Sequence, residues 1–198
     1  YGSVGIDGLF GPKEVAILAD ENADPDSLAV DLMAQAEHGA DSFVCLIVTS
    51  PELASKVLLA LEEKVKGHPR EEILRESLSG SFLFCVNQEE EAIRLCNEIA
   101  AEHVEIWSDA AEFISDKIKH AGAIFLNTPV PFGDYIAGPS HTLPTGTTAR
   151  FAAGVGVDTF LKRSSIVSAS PEAMTKMSGD LAILATLEEL PAHAAAAK

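Results

Sequence analysis

Short apolar runs rich in β-branched residues alternate along this chain with longer segments of helical period. That is the pattern of strands joined by crossover helices, and the class it predicts is α/β. Val15-Ala16-Ile17-Leu18 reads as a buried strand. Asp24-Pro25-Asp26-Ser27 then supplies an N-cap, a first-turn proline and acidic residues suited to the positive end of a helix dipole. That helix is expected to run to about His38, where Gly39 stops it. The alternation continues with a strand at about 43–48, a helix at about 52–66, a short helix near 70–78, a strand at about 82–86 and a helix at about 89–100. A helix over 110–119 and the strand Ala123-Ile124-Phe125-Leu126 complete it.

From Asn127 to Thr148 the periodicity lapses, and Pro129, Pro131, Pro139 and Pro144 are interleaved with Gly133, Gly138 and Gly146. Long loops of this kind inside a compact domain tend to be functional. From about Pro171 a helical pattern returns, with Met174, Met177, Leu181, Leu184 and Leu187 at spacings of three and four, before the alanines at 194–197. The expected organisation is an α/β lobe over residues 1–160 and a helical tail over 161–198. Spacing alone leaves open whether the apolar stripe of the tail packs on its own domain or on a second subunit.

Composition narrows the function classes. Of the 198 residues, 47% are hydrophobic and 22% charged, ample for a packed core, so a folded, soluble chain is expected. The formal charge of −16 would repel a phosphate backbone, which makes nucleic acid and anionic membrane surfaces poor partners. No uncharged apolar run approaches the roughly 18–20 residues of a membrane helix. The opening Tyr1-Gly2-Ser3-Val4-Gly5 has neither a Met nor a signal-peptide pattern and reads like an excised piece. Cys45, Cys85 and Cys96 lack metal spacing, which suits a reducing, cytoplasmic setting. Cys45 and Cys85 lie inside apolar strand-like runs and are expected to be core residues without chemistry.

Few residues suggest chemistry by themselves. Gln35 and His38 are three apart on the first helix and could share a metal, or simply form a polar helix end. Glu102-His103, at a helix-to-strand junction, could be an acid/base pair or a solvated terminus. Asp134 and His141, held in the Pro/Gly-rich loop, could both face a cleft, with Asp134 as metal ligand or partner of a substrate cation. Glu188 and His193 are ordinary helix-surface residues in isolation. Gly2-Ser3-Val4-Gly5 has no preceding strand and Gly154-Val155-Gly156-Val157 no third glycine, so no dinucleotide fingerprint is present.

Together and in order, these pieces resemble histidinol dehydrogenase. The matching stretches include Val4-Gly5-Ile6-Asp7, Gly11-Pro12, Ala34-Gln35-Ala36-Glu37-His38, Ala101-Glu102-His103 and Ala121-Gly122-Ala123-Ile124-Phe125-Leu126. They continue through Gly133-Asp134-Tyr135, Gly138-Pro139-Ser140-His141, Leu143-Pro144-Thr145-Gly146, Thr148-Ala149-Arg150-Phe151 and the tail from Glu188 to His193. The resemblance spans essentially the whole chain, which looks like the C-terminal portion of such an enzyme. It implies a Rossmann-like open sheet with flanking helices and a C-terminal helical tail.

The implied activity is NAD-dependent, zinc-containing oxidation of an amino alcohol through the aldehyde to the carboxylate, in histidine biosynthesis. By resemblance, Gln35, His38, Asp134 and His193 fall on zinc ligands, and the metal orients the substrate rather than activating water. His103 falls on the general base, Glu102 on the carboxylate that activates water, and His141 and Glu188 on substrate contacts. The tail is expected to cross to the other subunit of a homodimer, and the NAD contacts are expected upstream of Tyr1. Two positions depart from the pattern: Lys13 stands where a serine is usual, and Phe132 replaces an acidic stretch. A paralogue acting on another alcohol, for example a sulfonated one, and a non-catalytic metal-binding or dimerisation fragment are the alternatives.

Overall fold

The computed structural model describes residues 2–8 and 10–196; the first residue and the end of the alanine run lie outside them. The chain divides into two compact units at Phe160 and Leu161. In the first, five parallel strands form one sheet: β1 (Glu14–Ala19), β2 (Phe43–Val48), β3 (Phe82–Cys85), β4 (His103–Trp107) and β5 (Ala123–Leu126), in the order β3-β2-β1-β4-β5. The connecting helices are α1 (Pro25–Ala36), α2 (Pro51–Val65), α3 (Glu71–Ser79), α4 (Glu89–Ile99) and α5 (Ala111–Ser115), with α6 (Val130–Tyr135) after the last strand. Winding moves outward from β1 to β3, then returns to the other side of β1, so the topology switches between β1 and β4. This is the α/β, Rossmann-like arrangement that the residues and the resemblance implied.

Local chemistry explains the helix starts. Asp24 and Ser50 each accept the N–H three residues on, and a proline follows each cap, where a missing N–H costs nothing. One face of the sheet packs Val15, Ile17, Val44 and Leu46 against α1, α2 and Leu74 of α3. The other packs Ala16, Leu18, Cys45 and Ile47 against Ile93 and Cys96 of α4 and Ile114 of α5. Both faces of the central strands are covered, which is why they read as unbroken apolar runs.

Four expectations change. α1 stops at Ala36, with Glu37 as its cap, so His38 lies beyond the helix. The segment expected as a helix over 110–119 keeps only the short α5, after which the backbone turns. The Pro/Gly-rich loop contains α6, because Pro129 and Pro131 restrict φ at a helix start, where prolines are tolerated. Cys85 is exposed, unlike the fully buried Cys45. It lies on β3, the edge strand, whose four residues are all exposed while α4 packs against the inner strands.

The second unit has no regular structure before α7 (Pro171–Leu187), which is capped by Ser170, and α8 (Pro191–Ala196) follows. Its apolar stripe of Met174, Met177, Leu181, Leu184 and Leu187 is exposed. Among the described residues no helix is long and apolar enough to cross a membrane.

Replacing the fully buried Ile47 by Ala is expected to cost about 2–5 kcal/mol of unfolding free energy in a urea titration. The exposed Leu59→Ala change should stay within about 0.5 kcal/mol.

Candidate active site

β1 and β4 pair in parallel with Val15 opposite His103, so the residues leading into the two strands meet at one edge of the sheet. There the Glu14 N–H donates to Glu102 Oε2 and the Glu102 N–H donates to Glu14 Oε2, each at 3.2 Å. Each carboxylate thus satisfies the leading amide of the other strand. The Gly146 N–H donates to Glu14 Oε1 (2.8 Å), and the Gly11 N–H to Thr145 Oγ1 (2.6 Å), which ties the 143–146 loop over the cluster. Burial pushes the Glu14 carboxyl up from its ordinary value, against the opposing pull of the Gly146 and Glu102 amides. Glu102 is almost wholly buried, and Lys13 Nζ stands 2.7 Å from its Oε1. An anion so placed requires a cation or several donors to offset its lost hydration, and Lys13 fills that need.

His103 follows, with no exposed surface. Its Nδ1 lies 3.1 Å from the Glu14 carbonyl oxygen. A carbonyl oxygen can only accept, so Nδ1 carries a hydrogen and Nε2 is the ring atom free for proton exchange. Nε2 has no well-formed hydrogen bond and faces Asp134 Oδ1 at 3.4 Å. The Phe125 ring from β5 packs 5.8 Å from the imidazole, centroid to centroid. Asp134 is carried by α6, which can lie against Phe125 because Gly133 has no Cβ; one added there would collide with the ring. Burial raises the Asp134 carboxyl, but the His103 contact, with Lys13 and His141 nearby, holds it below its ordinary value.

The structure therefore brings Glu102, His103 and Asp134 into direct contact, with His141, exposed in its loop, near enough for its charge to act on Asp134. Gln35 is buried near the end of α1 and its Oε1 has no hydrogen-bond partner. His38 is exposed in the turn that follows. Glu188, at the end of α7, and His193, in α8, are exposed in the second unit. Among the described residues no three His, Cys, Asp or Glu side chains gather at metal-holding distance.

The family model for histidinol dehydrogenase matches residues 1–198. The chain belongs to the histidinol dehydrogenase family. It matches the family's C-terminal portion. It is 44% identical to histidinol dehydrogenase 2 of Trichormus variabilis over 201 residues, covering 100% of this chain and 46% of that protein. It is also 44% identical to histidinol dehydrogenase of Sulfurimonas denitrificans, covering 98% of this chain and 46% of the relative. The crystal structure of histidinol dehydrogenase from Elizabethkingia anophelis superposes with a TM-score of 0.92 at 35% identity, over 98% of this chain and 45% of that one. The chain thus spans about half the length of the relatives it matches.

In this histidinol dehydrogenase family member two buried acids escape the sequence reading: Asp31 on α1 and Glu105 on β4. The signal available was a lone carboxylate in the middle of an apolar parallel strand, Val104-Glu105-Ile106. Glu105 accepts the Trp107 Nε1–H (2.7 Å) on one oxygen and the Val130 N–H (3.1 Å) on the other, and Asp31 lies near enough for its charge to act on it. Burial raises both, and their mutual repulsion raises Glu105 further.

Both acids bind protons more tightly in the folded chain than in the unfolded one. Their contribution to stability is therefore full below the ordinary carboxylate range near about pH 4 and fades as pH rises through their raised values. The melting temperature is expected to fall between pH 5 and pH 8.5, and Asp31→Asn, which removes the shared titration, to reduce that fall. An equal fall in the variant, measured by circular dichroism, would contradict this account.

Proposed function

We propose that this chain supplies the metal-holding and proton-transferring half of a zinc-containing, NAD-dependent oxidoreductase that converts L-histidinol to L-histidine through histidinal. The observation that carries this reading is His103, a buried imidazole whose Nδ1 is held by a carbonyl and whose Nε2 is left open beside Asp134. A general base needs that arrangement, with one nitrogen oriented and the other free.

The candidate zinc ligands are Gln35, His38 and Asp134, with His193 from the tail. Two features of the fold fit such a group. Gln35 Oε1 is a buried oxygen donor with no protein partner among the described residues, and the Asp134 carboxyl, held low, faces the His103 ring without a well-formed hydrogen bond. A set of oxygen and imidazole donors suits zinc. When bound, zinc would orient the amino alcohol and NAD would take up hydride.

His103 Nε2 takes the hydroxyl proton as the carbinol carbon loses hydride, and Asp134 offsets the imidazolium charge. In the second oxidation Glu102 takes a proton from the water that adds to the aldehyde, and the hydrate loses a second hydride to give the carboxylate. Lys13 anchors Glu102 Oε1, which leaves Oε2 turned toward His103 at 3.7 Å. His141 and Glu188 are assigned to substrate contact. Residues 1–160 form the reacting lobe, and residues 161–198 form a tail that crosses to the partner in a cytoplasmic homodimer; the exposed stripe on α7 supports the crossing.

Dehydrogenation of a sulfonated alcohol is the second reading, and an unpaired Lys13 would favour it. Its pairing with Glu102 leaves little net charge at that spot, which fits an ammonium-bearing substrate better than an isolated lysine would. A panel of alcohols containing histidinol and sulfonated diols, assayed for NAD reduction with the full-length gene product, is expected to show turnover on histidinol. No turnover on any member would favour a non-catalytic module. His103→Asn is expected to lower kcat by at least about 10²-fold, and a near-normal rate would remove His103 from the mechanism.

A further inference from the structure

Glu102 is the proposed base for water, yet the fold leaves it almost no contact with solvent: its side chain is 3% exposed. Both oxygens are engaged by the protein. Lys13 Nζ stands 2.7 Å from Oε1, and Oε2 accepts the Glu14 N–H at 3.2 Å. The Glu14 amide is fixed at the start of β1, whereas Lys13 is 23% exposed and holds its ammonium on a flexible four-carbon stem. Lys13 is therefore the group that stands between this carboxylate and water and is free to leave.

His103 is placed differently. Its Nε2 has no well-formed hydrogen bond, so the first oxidation requires no protein contact to break. The second begins with addition of water. The water oxygen bonds to the aldehyde carbon, one water proton passes to Glu102, and the carbonyl oxygen takes the proton that His103 Nε2 holds from the first step. The hydrate then gives hydride to a second NAD and a hydroxyl proton to His103, which leaves the acid. A base must lie about 2.6–3.2 Å from the water it deprotonates. In this structure Lys13 Nζ occupies that distance from Oε1.

We propose that Lys13 is a gate on Glu102: while paired it keeps water off the carboxylate, so the second oxidation waits for its ammonium to swing aside and the aldehyde outlives the first. This proposal rests on the reading of His103 and Glu102 as the proton-transferring pair. Lys13 acts through Glu102 and is a positioning residue. The gate rests closed because a buried carboxylate without a counter-charge is costly.

Three substitutions separate a gate from a simple counter-charge. Lys13→Ser removes the stem, and the space it leaves admits water to solvate Glu102 Oε1. Lys13→Met keeps the bulk and removes the charge, so the carboxylate stays dry and loses its partner. Lys13→Arg keeps the charge and can grip the carboxylate with two N–H groups, which closes the gate more firmly. A counter-charge alone predicts that the Ser and Met changes both slow aldehyde oxidation and that Lys13→Arg preserves it.

The test is a rapid-quench time course of histidinol with an excess of the full-length gene product, in which aldehyde and carboxylate are measured at each time. The rate of aldehyde consumption is expected to rise about five- to tenfold in Lys13→Ser, the gain when a gate open about a tenth of the time is held open. It should fall in Lys13→Met and Lys13→Arg. An unchanged or slower rate in Lys13→Ser overturns the gate. A second readout needs no turnover: labelling of Glu102 by a water-soluble carbodiimide and an amine, located by peptide mass spectrometry, should increase in Lys13→Ser and stay at the parent level in Lys13→Met. The buried Glu105, unlabelled throughout, reports that the fold is intact. Equal Glu102 labelling in Lys13→Ser and the parent also overturns the gate. If Glu102→Gln consumes aldehyde as the parent does, or histidinol is not oxidised at all, the proton-transfer reading falls and the labelling contrast alone judges the gate. Should Lys13→Ser fail to fold, Lys13→Arg decides, because aldehyde consumption at or above the parent's rate overturns the proposal.

Discussion

The parallel pairing of β1 with β4, at the point where the winding of the sheet reverses, is the constraint on which the rest of this molecule depends. It places the leading amides of two strands side by side at an edge where no further ladder bond is available, and Glu14 and Glu102 fill the gap reciprocally. Two carboxylates so close need a counter-charge, which Lys13 supplies. The same pairing delivers the Glu14 carbonyl to His103 and thereby selects the tautomer that leaves Nε2 open. Backbone register, ion pairing and proton chemistry are here consequences of one another.

This polar centre lies at the amino ends of the strands, whereas open α/β sheets usually bind ligands beyond the carboxyl ends. The opposite edge of this sheet is poorly suited to a dinucleotide. The turn from β1 to α1 carries Asp20, Glu21 and Asp24, and the Asp24 carboxylate already occupies the helix N-terminus where a phosphate would bind. The family relationship extends over about half of each relative's length.

Burial gives the two acidic clusters different characters. Glu102 has a lysine and an amide, and Asp134 faces the His103 ring, so the buried carboxylate at the strand edge is matched by a cation. Asp31 and Glu105 are buried close to one another, and Glu105 has two N–H donors, so burial and mutual repulsion raise their carboxyls instead. The first arrangement suits proton exchange with a substrate. The second ties α6 to β4 through the Val130 amide.

Much of the architecture was legible in the chain itself. Apolar runs such as Val15–Leu18 and Phe43–Val48, and caps such as Asp24-Pro25, encode strands and helix starts locally, because burial and capping act over a few residues. Glu102, His103 and Asp134 stood out as residues capable of chemistry, and the order of motifs identified the family. The edge position of Cys85, the stop of α1 before His38 and the approach of Asp31 to Glu105 could not be read in this way, since each depends on which strand lies outermost or which helix crosses which strand. Sequence by itself determined the elements, the family and the chemical repertoire. The tertiary structure decided which nitrogen of His103 is open and which groups close on Glu105, because both depend on contacts between residues some 25–90 positions apart in the chain.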